Sequence, residues 1–235
     1  MTDLYDQYAK FNLINRIVLP AMTLCKSNKD GTPSEMMKNH YVNIAKNGAG
    51  LIIVESSAIN GNAALGYNNG SQFFSSEHAH AWKPIIDEIH SYDCKVIIQL
   101  YHAGRLTVKE IAKTNPLCSS SVPCDNFPSY WRPKINNEIV NFQTNTQYEE
   151  PQELTEKEIV NIMSEFGNAC ELSKKAGFDG VEIHGAHGYL VHCFCRGHVN
   201  KRKDKYQVKN YYFLEELINT CRNSLGNNLL SFRVS

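Results

Sequence analysis

The chain has 235 residues, 42% hydrophobic and 20% charged, the balance of an ordinary globular protein able to bury a core. Lysine and arginine together number 24, as do aspartate and glutamate, so no net field draws the chain to nucleic acid or an anionic membrane. The opening "MTDLYDQYAKFNLINR" has no apolar h-region and no apolar run approaches the ~20 residues of a spanning helix, so the expected location is the cytoplasm, with no membrane partner.

In chain order, the first apolar run is "RIVLPAM" (Arg16–Met22), read as a short buried strand. A helix pattern follows in "SEMMKNHYVNIAKNGAG", with Met37, Tyr41, Ile44 and Ala45 on one face and Gly48 at its end. The second strand is "GLIIVESS" (Gly50–Ser57). The second helix, "SSEHAHAWKPIIDEIHSY", carries Trp82, Ile85, Ile86 and Ile89 on its core face. Its Pro84 is expected near the first turn, where a missing N–H costs nothing, and its His78, His80 and His90 are expected to be solvated. "KVIIQL" (Lys95–Leu100) is the third strand, and residues 106–151 read as a long loop with a hairpin.

The best-marked helix is "TEKEIVNIMSEFGNACELSKKAG". Thr155 and Glu158 form a capping-box pattern, Ile159, Ile162, Met163, Phe166 and Cys170 make the buried stripe, and lysines precede Gly177. "GVEIHG" (Gly180–Gly185) is the fourth strand. A fourth helix runs through Leu214, Leu217, Ile218 and Cys221 to Gly226, and "LLSFRVS" (Leu229–Ser235) is the fifth strand. Each strand candidate is too short for a helix and rich in Ile, Val and Leu, as in strands covered on both faces. Without a secretory signal, the eight cysteines read as reduced thiols, Cys170 and Cys221 being core residues.

Strand alternating with helix implies a parallel sheet with right-handed crossovers, either a (β/α)8 barrel or a doubly wound sheet. No G-x-G-x-x-G follows the first strand, which favours the barrel. The strands begin near Ile17, Leu51, Val96, Val181 and Leu229, with spacings of 34, 45, 85 and 48. A complete barrel takes ~250 residues at roughly 30 per βα unit, so only five strands fit. The expected fold is therefore α/β: one domain over residues 1–235, an incomplete TIM (β/α)8-type barrel of about five βα units. Strands six to eight are absent, and a long insertion at about 106–151 separates strand three from helix three. Open sheet edges would favour pairing with another chain or a homo-oligomer.

In a parallel barrel the C-terminal strand ends and the loops after them surround the active site. Thr23 and Cys25 follow strand one, Glu55 and Ser56 end strand two, and Gln99, Tyr101, His102 and Arg105 end strand three. His184, His187 and Tyr189 end strand four, and Arg233 lies on strand five.

The motifs "NRIVLPAMT", "GLIIVESSAI", "VIIQLYHAGR", "PQELTEKEI", "AGFDGVEIHGAHGYL" and "FRVS", in this order and spacing, resemble the old yellow enzyme family. These are FMN-dependent, NADH- or NADPH-oxidising ene-reductases built on a (β/α)8 barrel. "HAGR" and "HGAHGYL" are similar to the enoate and dienoyl-CoA reductase branch. The resemblance implies FMN as cofactor, NADH or NADPH as reductant, and a small enone, enal or enoyl substrate. It implies that Ala21, Met22 and Thr23 run along the flavin, that Ser56 and Gln99 contact its polar edge, and that Arg233 stabilises the anionic reduced ring. His184 and His187 would bind the substrate carbonyl and Tyr189 would donate the proton; Tyr101, at the end of strand three, either lines the substrate cavity or simply packs. His102 and Arg105 would lie behind the site or in the substrate loop. No metal is implied.

The pattern is broken after strand four, where the family's Gly-Gly is replaced in "NKRKDKYQVKNYYF" by Gln207 and Val208, which resist the turn that glycine permits. The phosphate site of such barrels comes from the loops after strands seven and eight. An inactive or partner-dependent fragment is therefore an alternative reading. So is zinc bound by His184, His187, His192, Cys193, Cys195 and His198, although C-x-C is not the common zinc spacing. Taken singly, Gln99 reads equally as a polar group satisfied by the neighbouring strand, and Arg233 as an ion-pair partner of Glu182.

Overall fold

The five apolar runs form one parallel sheet. The computed structural model describes residues 3–124, 134–135, 138–139 and 149–235. Along the chain lie β1 (Val18–Leu19), α1 (Glu35–Lys46), β2 (Leu51–Ala58), α2 (Ser76–His90), β3 (Lys95–Tyr101), α3 (Lys109–Ala112), β4 (Leu117–Cys118), β5 (Lys134–Ile135) and β6 (Glu138–Ile139). Then come β7 (Gln152–Glu153), α4 (Glu156–Ala176), β8 (Gly180–His184), α5 (Leu190–Phe194), α6 (Tyr212–Leu225) and β9 (Leu229–Arg233). The sheet order is β1-β2-β3-β8-β9, every pair parallel, which is the order of successive barrel strands. β1 is shorter than the apolar run because Pro20 has no N–H to continue the ladder.

The pleat divides the sheet into two faces. Ile52, Val54, Val96, Ile98, Val181 and Ile183 join the main core with the apolar stripes of α1, α2, α4 and α6. The opposite face is layered. Ile53, Ile97, Gly180 and Leu229 share one row of the register, and with Leu13, Leu51 and Tyr8 they form an apolar floor. Gln99, Glu182 and Ser231 share the next inward row. At the C-terminal mouth come Tyr101, His184 and Arg233, the last two in register with one another. Gly180 is required in the floor, since a Cβ there would lie 2.2 Å from the Leu229 carbonyl oxygen.

The register slips between Val54 and Ser57, a bulge in β2. The Glu55 N–H is donated to Tyr41 Oη (2.9 Å). The capping box of α4 forms as expected, and Cys170 and Cys221 are fully buried where α4 packs on α6. None of the eight cysteines is in a disulfide.

Two expectations for α2 are corrected. Pro84 lies inside α2, not in its first turn. Interior proline costs about 3 kcal/mol, which is offset by the full burial of Trp82, Ile85, Ile86 and Ile89 at roughly 1.5–3 kcal/mol each. His78 is buried rather than solvated, its Nδ1 with Ser75 Oγ (2.8 Å) and its Nε2 with the Asp30 carbonyl (3.0 Å). His90 pairs with Asp179 at 2.8 Å, while His80 is exposed. The fourth helix runs through Leu214, Leu217, Ile218 and Cys221 to Gly226 as expected, and its buried face is Phe213, Leu217, Cys221 and Leu225.

In the insertion, β4 pairs in parallel with β7, and β5 with β6 as an antiparallel pair. The rest of the expected loop between 125 and 148 lies outside the described residues. Among the described residues no helix is long and apolar enough to cross a membrane.

Candidate active site

After β8 the chain turns sharply. His187 and Gly188 both take left-handed φ values, +58° and +86°, and the Gly185 N–H donates to the Arg233 carbonyl at 2.9 Å. The Leu190 N–H then donates to the His102 carbonyl (3.0 Å), tying this loop to the end of β3. The turn stacks His184, His187 and Tyr189 in a short column. His184 stands edge-to-face on Tyr189, ring centroids 4.6 Å apart, and on His187 at 5.2 Å. His184 and Tyr189 are buried and His187 is exposed.

His184 Nδ1 accepts the Ala186 N–H (3.3 Å), which puts the proton of the neutral ring on Nε2. Burial, then His187 and Arg233, lower its pKa to about 3, so at neutral pH it is an uncharged donor. Burial pushes the Tyr189 phenol up to about 12.

The β2–α2 loop covers the column. It folds back on β2 through Ala58 N–H to the Ser71 carbonyl (2.9 Å) and Phe73 N–H to the Ala58 carbonyl (2.8 Å). Tyr101 Oη accepts the Gly66 N–H (3.0 Å), and Tyr67 Oη is hydrogen-bonded to Tyr189 Oη. Sequence reasoning missed Tyr67. Its one available signal was position, in a loop after a barrel strand.

Glu55, named only as a strand end, is fully buried. Its Oε2 accepts from the N–H groups of Leu24 (2.9 Å) and Cys25 (3.4 Å), the latter at φ +52°. Oε1 has no partner among the described residues, and burial raises the carboxyl pKa to about 7. Glu55 thus braces the segment that carries Ala21, Met22 and Thr23. Of these, Met22 is exposed and the other two are half-buried, while Ser56 is buried in β2.

In the inward row, Gln99 Nε2 donates to Glu182 Oε1 (2.7 Å) and Ser231 Oγ to Glu182 Oε2 (3.2 Å). Gln99 is therefore satisfied in part by its neighbouring strand. The expected Arg233–Glu182 ion pair does not form, because Arg233 lies two residues beyond Ser231 and in register with His184 instead. Its half-buried guanidinium has no hydrogen-bond or ion-pair partner among the described residues.

His102 and Arg105 do not join the column. His102 is buried with Nδ1 accepting the Gly104 N–H (3.0 Å), and Arg105 Nη1 donates to the carbonyls of Val122 and Pro123. The zinc reading is not supported. His192 turns its nitrogens to the Gly188 N–H and to Arg196, and Cys193 Sγ donates to the Gly188 carbonyl. Among the described residues no three His, Cys, Asp or Glu side chains are placed to hold a metal ion.

Residues 7–235 match the model of the NADH:flavin oxidoreductase / NADH oxidase family. The chain is 32% identical over 232 residues to an NADH oxidase of Thermoanaerobacter brockii, covering 94% of this chain and 32% of that protein. It is 30% identical over 229 residues to 12-oxophytodienoate reductase 2 of Arabidopsis thaliana, covering 96% of this chain and 58% of that protein. The old yellow enzyme homologue of Zymomonas mobilis superposes with a TM-score of 0.85 at 26% identity, covering 99% of this chain and 63% of that one. The chain thus spans between a third and two thirds of the length of these relatives.

Proposed function

Because the chain belongs to the NADH:flavin oxidoreductase / NADH oxidase family, we propose that it is an ene-reductase acting on a small substrate whose C=C bond is conjugated to a carbonyl. Its lineage is that of an oxidoreductase with FMN as cofactor and NADH or NADPH as reductant.

The mouth of the sheet suits the polar edge of a flavin. Arg233 offers a cation there with no ion-pair partner among the described residues. Gln99, whose amide nitrogen is held by Glu182, keeps an amide oxygen with no partner among the described residues. In this reading Ser56 and Gln99 meet that edge, Arg233 balances the negative charge of the reduced ring, and Ala21, Met22 and Thr23 run along the ring. When bound and reduced, FMN supplies the hydride that adds to the alkene β-carbon.

His184 Nε2–H and the His187 imidazole then hold the carbonyl oxygen as it becomes an enolate, and loss of one such donor typically costs roughly 3 kcal/mol. Tyr189 gives its phenolic proton to the α-carbon as general acid, and Tyr101 lines the cavity beside it. NAD(P)H and substrate occupy this place in turn. The protein is a single cytoplasmic domain in this reading, with no nucleic-acid or membrane partner.

The observation that carries the proposal is the neutral His184, its proton on Nε2, packed on Tyr189 and in register with Arg233, which has no ion-pair partner among the described residues. The test is an FMN titration followed by flavin fluorescence, then NAD(P)H-dependent reduction of 2-cyclohexenone. Saturable quenching, weakened by Arg233→Ala, and a roughly 100-fold slower reduction in His184→Ala are expected. Bound FMN with enone reduction indifferent to His184→Ala and Tyr189→Phe would overturn the residue roles. No saturable binding in a folded sample would favour a fragment that needs a partner, for which β9, with one strand neighbour among the described residues, offers an edge.

A further inference from the structure

Tyr67 sits outside the roles assigned so far, yet its hydroxyl meets that of the proton donor Tyr189. The loop bearing it is braced. Asn60 Oδ1 accepts the N–H groups of Asn62 (3.1 Å) and Ala64 (3.0 Å), the Ala103 N–H donates to the Ala64 carbonyl (3.1 Å), and the Gly66 N–H donates to Tyr101 Oη. The Tyr101 ring packs on both phenols, with centroids 6.4 Å from Tyr67 and 5.2 Å from Tyr189. Tyr67 is thus delivered to Tyr189 by a built loop.

We infer that Tyr67 is a positioning residue for proton transfer, directing its Oη–H at Tyr189 Oη and stabilising the phenolate left when Tyr189 gives up its proton. The inference rests on Tyr189 being the acid of the proposed ene-reduction. In that step the Tyr189 O–H bond breaks and a C–H bond forms at the substrate α-carbon with the electron pair of the enolate. The O–H electrons stay on Tyr189 as phenolate, and solvent later returns the proton. A phenolate in this setting needs a donor. Among the described residues, the other titratable groups facing the pair are Tyr101, Cys25 and His184, and none of these supplies a positive charge while His184 is neutral. Tyr101 is turned to the Gly66 N–H. Burial and the neighbouring Tyr189 and Tyr101 phenols raise the Tyr67 pKa well above the usual tyrosine value, so Tyr67 holds its own proton at neutral pH and can donate it. An O–H···O⁻ bond is about twice as strong as its neutral counterpart, so the contact strengthens as the proton leaves, which is what catalysis requires.

Tyr67→Phe removes one hydroxyl and keeps the ring. Losing a hydrogen bond to a charged group slows the oxidative half-reaction with 2-cyclohexenone roughly tenfold or more, with a larger solvent isotope effect. Reduction of the bound flavin by NAD(P)H is unchanged. In a Tyr189→Phe background the same substitution has no further effect, because the group it serves is gone. A direct readout needs no flavin: in protein labelled with [13Cζ]tyrosine, the Tyr189 resonance, identified by its loss in Tyr189→Phe, moves in Tyr67→Phe. Equal slowing in both backgrounds, or of both half-reactions, would mean that Tyr67 acts by packing and would overturn the inference. So would an unmoved Tyr189 resonance. If the wild-type chain reduces no alkene, the functional reading fails separately, and the resonance alone decides on the phenol pair.

Discussion

Glu55→Gln tests whether the buried carboxyl under the β1–α1 segment carries an unbalanced charge. The carboxyl is fully buried, accepts two backbone N–H groups and has no cation partner among the described residues; burial moves its pKa from 4.5 to about 7. Below pH 4.5 the folded and unfolded chains both hold the proton. Between 4.5 and 7 the folded chain keeps a proton that the unfolded chain has released, so stability falls as pH rises and levels off above 7. At 1.36 kcal/mol for each pH unit, the loss is about 3 kcal/mol, or roughly 6–12 °C in Tm for a domain of this size. Glutamine keeps the volume and a carbonyl oxygen for Leu24 and Cys25, and does not titrate. Urea unfolding at pH 5 and pH 8 measures the effect. The wild type should lose about 2.5 kcal/mol more than Glu55→Gln over that interval, with unchanged m-values, because all other titrating groups are common to both. An equal pH dependence in the two proteins would refute the unpaired carboxylate. A wild type that gains on the variant with rising pH would show that Glu55 has a cationic partner.

Acid acts in the opposite sense through the buried histidines. His102 and His184 are both lowered to about 3, chiefly by burial, so below pH 6.5 the unfolded chain takes up protons that the folded chain refuses and stability falls as pH drops. His102→Gln should flatten this decline by about 2 kcal/mol at pH 5 in thermal melts between pH 7 and 4, and an unaltered slope would count against a buried neutral imidazole. Gly180→Ala sets a Cβ 2.2 Å from the Leu229 carbonyl oxygen and should cost about 1–3 kcal/mol or more in urea unfolding; a loss under about 0.5 kcal/mol would mean that β8 and β9 are not so closely apposed. Thr155→Ala removes the capping box of α4 at about 1 kcal/mol, with most of the loss restored by serine, and a neutral alanine variant would show that the cap is dispensable.

The barrel-type strand order was legible because apolar runs of six to eight residues, alternating with helical stripes, allow few packings. "TEKEIVNIMSEF" announces its own helix because a capping box and a 3.6-residue period are local signals. Buried elements were readable to within a residue or two, and β1 was overextended because Pro20 ends a ladder whatever its neighbours prefer. Pro84 went the other way, since local backbone preference gave way to the burial of four large side chains that only the packed sheet provides. The column His184, His187 and Tyr189 could be read because six residues hold all of it. Tyr67 and Tyr189 stand 122 residues apart and meet only when the loops after β2 and β8 close over one strand end. In the same way, register alone decided that Glu182 joins Gln99 and Ser231, and that Arg233 stands beside His184 and not beside Glu182. Residue type and short-range spacing determine which segments become strands and helices, because those energies are local. Which polar groups end as partners depends on a register set by the whole sheet, where a slip of one residue exchanges the faces.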